Sequence, residues 1–230
     1  MTGRLYGVGV GPGDPELMTL KAVRILAEAP VIAYPAPNNG ESSARAIADS
    51  FIPAGRMEIA IRVPIRVGPV PIEAYALAAE EIAGHLEGDR DVVVLCEGDP
   101  FFYGTFMYLH DALAGRFPTI VVPGVCSLTA CAAASGRSLV RRDDALTILP
   151  ATLGDDELSR RLRDCDAAAI MKVGRHLSRL KKLLGQLDLL ASAIYVSHAT
   201  RENERVMRLE ELTDSEAPYF SMILTARDHK

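Results

Sequence analysis

The hydrophobic positions of this chain fall into two alternating kinds of stretch. Short apolar runs at Arg4–Val10, Val31–Tyr34, Met57–Pro64, Asp91–Cys96 and Thr119–Val122 are compact and rich in β-branched residues, which predicts strands. Between them Leu17, Leu20, Val23, Ile25 and Leu26 recur at helical spacing. Ser42–Phe51 reads as a second helix, Pro71–Leu86 as an amphipathic one, and Phe106, Leu109 and Leu113 mark a fourth. Pro30 predicts the end of the first helix, and Pro35 with Pro37 the end of the second strand.

The alternation continues to the end of the chain. An Ala-rich helix to about Ser135 precedes a strand at Ala145–Leu149, a helix at Asp156–Leu162 and a strand at Ala167–Met171. A helix at Leu177–Leu187 and a strand at Ala193–Ser197 follow, then strands at Val206–Leu209 and Tyr219–Thr225. Strand and helix in turn predict an α/β fold with mostly parallel central strands. The Pro123-Gly124 turn predicts a boundary near residue 122, giving one α/β domain over 1–122 and a second over 123–230.

Composition narrows the function classes. The 230 residues carry a net charge of −5, so no global basic field invites nucleic acid. No apolar run approaches the ~20 residues that span a bilayer. Cys96, Cys126, Cys131 and Cys165 show neither C-x-x-C nor zinc spacing, and the first strand begins almost at the N-terminus. A reduced, cytoplasmic protein without a targeting segment is expected. His85, His110, His176, His198 and His229 are scattered, so no metal site is expected. Ser127 lies outside a G-x-S-x-G elbow.

The turns carry the candidate chemistry. Gly11–Pro15, Glu97–Tyr103, Pro123–Ser127 and Met171–Gly174 each follow a predicted strand. In a parallel sheet such turns converge on the edge where ligands bind. Gly7-Val8-Gly9-Val10-Gly11-Pro12-Gly13 is glycine-laced, but Pro12 or Asp14 replaces the third glycine of a dinucleotide fingerprint. Tyr34-Pro35-Ala36-Pro37 stands where a ribose-binding acid belongs, and no G-K-[ST] is present. A Gly-rich site with Asp99 as its obvious carboxylate suits a cationic or zwitterionic, adenosine-like ligand better than a bare phosphate. Basic residues cluster at Arg45, Arg62 and Arg66, at Arg137, Arg141 and Arg142, and at Lys172, Arg175, His176, Arg179, Lys181 and Lys182. Arg137, Arg141, Arg142 and Arg175 sit at strand–helix junctions, where guanidinium forks can hold carboxylates of a polycarboxylate substrate.

Gly7–Ala22, the Gly98-Asp99-Pro100 turn and Pro123-Gly124-Val125-Cys126-Ser127, in this order and spacing, resemble the tetrapyrrole methylases, S-adenosylmethionine enzymes of corrin and sirohaem synthesis. The likeness covers nearly the whole chain. Cys126 and Ser197-His198 depart from the family's usual residues. The resemblance implies two α/β domains with the cofactor in the cleft between them, usually as a homodimer. It implies cofactor contacts from Pro12, Glu97, Gly98, Asp99, Phe102, Ser127, Leu128, Met171, Ala199 and Thr200. It also implies methyl transfer to a tetrapyrrole carbon, with Tyr103, Tyr108 and Asp14 as candidates to assist proton removal. A nicotinamide-dependent dehydrogenase and a non-catalytic tetrapyrrole carrier stand as rival readings.

Overall fold

The computed structural model describes residues 2–63 and 71–227. Pro64 and Arg66, like His229, lie outside the described residues. The chain divides into two units, Met1–Cys126 and Ser127–Lys230.

Unit 1 holds β1 (Leu5–Gly9), α1 (Leu20–Glu28), β2 (Val31–Pro37), α2 (Ser43–Ala48), β3 (Met57–Val63), α3 (Ile72–Glu87), β4 (Val92–Cys96), α4 (Phe106–Leu113) and β5 (Thr119–Val122). Its sheet runs in the order β3-β2-β4-β1-β5, and every pairing is parallel. All five residues of β4 are buried, because helices cover both faces of the sheet. Val92 and Val94 face a core shared with α3 and α4, through Ile82, Leu86, Phe106 and Leu109. Val93 and Leu95 face the opposite core with Leu26 of α1 and Ile47 of α2. The period-two side-chain alternation of a strand therefore serves two apolar layers at once.

Two boundaries differ from the sequence expectation. The first helix begins at Leu20 rather than beside Glu16, because Thr19 caps it: Thr19 Oγ1 accepts the Ala22 amide at 3.1 Å. Pro15–Leu17 form a separate 3₁₀ turn. The second strand does not stop at Pro35 but continues through Pro37, paired with β3 as far as Pro37 opposite Val63. β4 pairs with it only to Ala33, so beyond that point β2 has an open side that tolerates residues lacking an N–H.

Unit 2 holds α5 (Ser127–Ala134), β6 (Leu146–Pro150), α6 (Asp155–Arg163), β7 (Ala167–Met171), α7 (Leu177–Gln186), β8 (Ile194–Ser197), β9 (Arg205–Arg208) and β10 (Ser221–Ala226). The order is β6-β7-β10-β8-β9, with β6 and β7 parallel and β10 inserted antiparallel between β7 and β8. The mixed α/β class holds: the unit 1 sheet is wholly parallel, and the unit 2 sheet is mixed. After β8 no α-helix follows among the described residues to carry the chain back, and the last strands return antiparallel. Leu177, Leu180, Leu183 and Leu184 of α7 close the unit 2 core over Ile170 and Tyr195. Among the described residues no helix is long and apolar enough to cross a membrane.

Candidate functional site

β4, β1 and β5 are consecutive in the unit 1 sheet, with β5 at its edge, and their carboxyl ends carry three of the four predicted turns. Main-chain hydrogen bonds lock these turns together. The Val10 amide donates to Cys96 O at 2.9 Å, and the Gly98 amide to Gly11 O at 2.8 Å, forming an isolated antiparallel bridge past the parallel strands. Gly11 and Gly98 adopt φ of 81° and 63°, the left-handed region that glycine enters without strain. Close packing fixes the other glycines. A Cβ at Gly9 would lie 2.5 Å from the Gly98 carbonyl oxygen, and one at Gly124 only 2.1 Å from the same oxygen.

Asp99 ties the arrangement across the sheet edge. Its Oδ1 accepts the Phe101 amide at 2.9 Å, and its Oδ2 accepts the Gly124 amide at 3.1 Å. The carboxylate thus joins the turn after β4 to the turn after β5. Asp14 does similar work locally, with Oδ1 accepting the Glu16 amide at 2.8 Å at the start of the 3₁₀ turn. Pro12 and Glu97 are half-buried on these same turns.

The aromatic run extends outward from the central turn. Phe101 is 50% and Tyr103 45% exposed, large for rings on a folded surface. Phe101 meets His110 edge-on at 5.0 Å, and Phe102 meets Tyr103 edge-on at 5.3 Å. Tyr103 holds φ of 55°, a strained value for an aromatic residue. Tyr108 goes elsewhere: its ring packs against Tyr75 of α3 at 4.9 Å, beside the core between α3 and α4. Burial pushes the Cys96 thiol above its ordinary range, which keeps it neutral.

The fourth turn, Met171–Gly174, belongs to the other sheet, so the four turns do not share one sheet edge. In unit 2, Met171 lies opposite Met222 and Ser197 opposite Ser221, which puts the loops after β7 and β8 at one edge of that sheet. Strain collects there: Lys172, His198 and Thr200 take φ of 58°, 52° and 67°. A β-branched residue in that region is a genuine outlier. The Thr200 amide is held by Glu204 Oε2 at 2.6 Å, and Ala199 is buried. Arg175 sits in the short 3₁₀ turn just past Met171, while Ser127 and Leu128 open α5, with Leu128 buried.

Sequence reasoning passed over a cluster at this edge. The Arg201 guanidinium lies over the Phe220 ring at 4.1 Å, and Phe220 meets Tyr219 edge-on at 5.0 Å. The His198 amide donates to Phe220 O at 2.8 Å. Burial, then the nearby Arg201 charge, lowers the His198 pKa. Tyr219 and Phe220 read as the start of a strand, but β10 begins only at Ser221, which leaves both rings in the edge loop.

Arg137, Arg141 and Arg142 do not join this edge. Arg137 donates to Ser192 O, just before β8. Arg137 and Arg141 line a concavity of about 600 Å³ with Ile194, Ala226 and Arg227. Ile194 opens β8 and Ala226 closes antiparallel β10, so this concavity is at the sheet edge opposite Met171 and Ser197. A strand of five residues separates the two edges by about 16 Å. Arg142 follows Arg141 in an exposed turn with φ of 45°. Of the four arginines proposed for carboxylates, only Arg175 shares the edge with Met171 and Thr200.

The unit 1 turns offer main-chain amides and carbonyls, oriented carboxylates and aromatic rings, without a lysine or arginine from Val10 to Pro15 or from Glu97 to Thr105. Among the described residues no group of three His, Cys, Asp or Glu could hold a metal ion. The model of the Tetrapyrrole (Corrin/Porphyrin) Methylases matches residues 4–213. The chain belongs to this family. As a tetrapyrrole methylase it is 42% identical to a precorrin-2 C(20)-methyltransferase of Sinorhizobium sp, over 96% of this chain and 94% of that protein. It is 30% identical to a cobalt-precorrin-2 C(20)-methyltransferase of Salmonella typhimurium, over 97% of this chain and 96% of that one. It is also similar to the crystal structure of uroporphyrin-III C-methyl transferase from Thermus thermophilus complexed with S-adenyl homocysteine. There the TM-score is 0.71 at 28% identity, covering 97% of this chain and 92% of that chain.

Proposed function

We propose that this tetrapyrrole methylase transfers a methyl group from S-adenosylmethionine to carbon 20 of precorrin-2, giving precorrin-3A in cobalamin biosynthesis. The observation that carries the reading is the 42% identity to a precorrin-2 C(20)-methyltransferase over nearly the full length of both chains. The segment Glu97–Leu109, Ser43–Ala48 after the Tyr34-Pro35 turn, and the tail Pro218–Leu224 support it within the family. The 30% identity to a cobalt-precorrin-2 enzyme favours, as a second reading, the same methylation on a cobalt-loaded substrate.

The unit 1 turns fit S-adenosylmethionine. The glycine packing at Gly9, Gly98 and Gly124 leaves main chain rather than side chains at the sheet edge, and no basic residue stands there to demand a phosphate. When bound, S-adenosylmethionine supplies a methyl group already activated by its sulfonium. The chain's own task is chiefly positioning in a water-poor site. Pro12, Glu97, Gly98, Asp99 and Phe102 in unit 1 are proposed to hold the cofactor, with Ser127, Leu128, Met171, Ala199 and Thr200 in unit 2. Asp99 acts by orienting two loops, since each of its oxygens accepts a main-chain amide. The proton released from the methylated carbon is assigned to Asp14 or Tyr103; Tyr108 is engaged in packing against Tyr75. A substrate carboxylate is assigned to Arg175, supported by its position in the turn just past Met171. A cytoplasmic homodimer, with domains over 1–122 and 123–230, completes the proposal.

The test is turnover of labelled S-adenosylmethionine with precorrin-2 and, separately, with its cobalt-loaded form. A product carrying one new methyl at carbon 20 is expected from the cobalt-free substrate; no methylated product from either sinks the reading. Calorimetry with S-adenosylhomocysteine and NAD in parallel excludes the dehydrogenase if only the former binds.

A further inference from the structure

We propose that Arg62 holds a carboxylate of the tetrapyrrole substrate in a pocket at the carboxyl end of β2 and β3. The inference rests on the substrate class proposed above. A cavity of about 490 Å³ opens there, lined by Tyr34, Ala36, Ser42, Arg45 and Arg62, with Glu41 and Asp49.

The two arginines of this pocket stand in opposite electrostatic states. Arg45 is committed: its guanidinium donates to Glu58 at 2.9 and 3.1 Å and to Asp49. That pairing holds the Glu58 carboxyl below its ordinary range. Arg62 is held by neutral groups instead. Its Nη1 donates to Pro37 O at 2.8 Å and to Gly40 O at 3.1 Å. Among the described residues no carboxylate pairs with it. The carbonyls orient the fork without cancelling its charge, and the remaining N–H donors are left for a ligand. An arginine oriented in advance loses less entropy when it binds a carboxylate.

Position selects the ligand. β2 pairs with β4 as far as Ala33 opposite Val94, and both strands then run on toward the same carboxyl edge, β2 through Tyr34–Pro37 and β4 into the turn at Gly98. Arg62 is opposite Ala36 on the next strand out. β3 is two strands from β4 in the sheet order, so the pocket is at least two strand spacings, about 10 Å, from the turn that carries Gly98 and Asp99. It shares the carboxyl edge of the unit 1 sheet with that turn. A macrocycle bearing acetate and propionate arms can present one arm to Arg62 while its ring faces the central turn. Glu41, exposed on the pocket wall, opposes a carboxylate guest and gives the charge argument a sign test.

The experiment uses the full chain and three titrations: KM for precorrin-2, uroporphyrin binding by fluorescence quenching, and S-adenosylhomocysteine binding by calorimetry. Arg62→Ala is expected to weaken uroporphyrin binding and raise the precorrin-2 KM roughly ten- to hundredfold, the scale of a lost charge-assisted hydrogen bond. S-adenosylhomocysteine affinity is expected to stay unchanged. Arg62→Lys recovers part of the loss, and Glu41→Gln shifts both substrate readouts the opposite way. Arg62→Gln replaces Arg62→Ala if the alanine variant loses its folded circular-dichroism spectrum. Uroporphyrin binding that is undetectable in the wild type, or unchanged without Arg62, overturns the assignment. Failure of the wild type to methylate precorrin-2 overturns the proposed reaction instead, and the uroporphyrin titration still decides Arg62.

Discussion

The Asp99 carboxylate reaches 25 residues along the chain to hold the Gly124 amide at 3.1 Å, while its other oxygen holds Phe101. Hydrogen bonds to an ionised acceptor are each worth about 1.5–3 kcal/mol, less where solvent competes. Asp99→Ala is expected to cost about 2 kcal/mol of stability and to weaken S-adenosylhomocysteine binding at least tenfold. Asp99→Asn should rescue little, because its amide nitrogen would point a donor at a donor. Thermal unfolding and calorimetry on both variants check this; wild-type affinity in Asp99→Ala would remove the central turn from the cofactor site.

Glycines of the same chain should respond in opposite directions. Gly124→Ala places a methyl 2.1 Å from the Gly98 carbonyl oxygen, so the two turns must separate. A loss of about 3 kcal/mol or more is expected, with cofactor affinity falling in step. Gly84 is exposed within α3 and has nothing within 4 Å of a Cβ. Gly84→Ala is expected to add about 0.5–1 kcal/mol through helix propensity. Chemical denaturation of the pair measures both, and equal effects would contradict the packing described at the sheet edge.

Thr200 holds a backbone conformation that disfavours β-branched residues, at φ of 67°. Thr200→Gly relieves about 1 kcal/mol of strain, offset in part by the freedom glycine gains when unfolded. Its melting temperature is expected to hold or rise while S-adenosylhomocysteine binds several-fold more weakly. A variant that binds as well as wild type would mean the strained residue does not serve the cofactor.

His198 has a lowered pKa, from burial first and Arg201 second. The unfolded chain therefore takes up a proton more readily than the folded one. The stability contribution of the neutral ring is complete above the unfolded value of about 6.5 and is lost as pH falls through the lower folded value. His176, lowered by burial and by Arg179 and Arg175, acts in the same direction. His198→Asn is expected to flatten the fall in melting temperature between pH 7 and pH 5 without abolishing it. An unchanged slope would show that the ring is solvated.

Much of unit 1 was legible in the sequence because local signals agree with the fold. The uniformly apolar Val92–Cys96 announces a strand covered on both faces, and Gly98-Asp99-Pro100 announces the turn after it. What local patterns miss depends on partners. Pro35 and Pro37 break most strands, and only the open side of β2 beyond Ala33 admits them. The insertion of β10 between β7 and β8 is a pairing choice among distant segments. At the site, the turns that gather Pro12, Asp14, Glu97 and Asp99 were readable as motif. Arg137 and Arg141 were chosen by type and by proximity to a helix end, which carries no information about which sheet edge they occupy. Arg62 was visible only as one of a basic group with Arg45 and Arg66, since its carbonyl partners at Pro37 and Gly40 are set by the β2–β3 register.

The place of β1 in its sheet has a consequence for how the molecule comes into being. β1 is made first, yet both of its neighbours are distant in sequence: Leu5 pairs with Val92 on one side and Thr119 on the other. During synthesis this strand emerges with no partner to receive it, and its backbone groups stay with water until β4 and then β5 are translated. Closing such long intervals is slow. The sheet is complete only when β5, its edge strand, has been made, and the turn that carries Gly9 to Gly13 takes shape no earlier than β4, since its main-chain partners are Cys96 and Gly98.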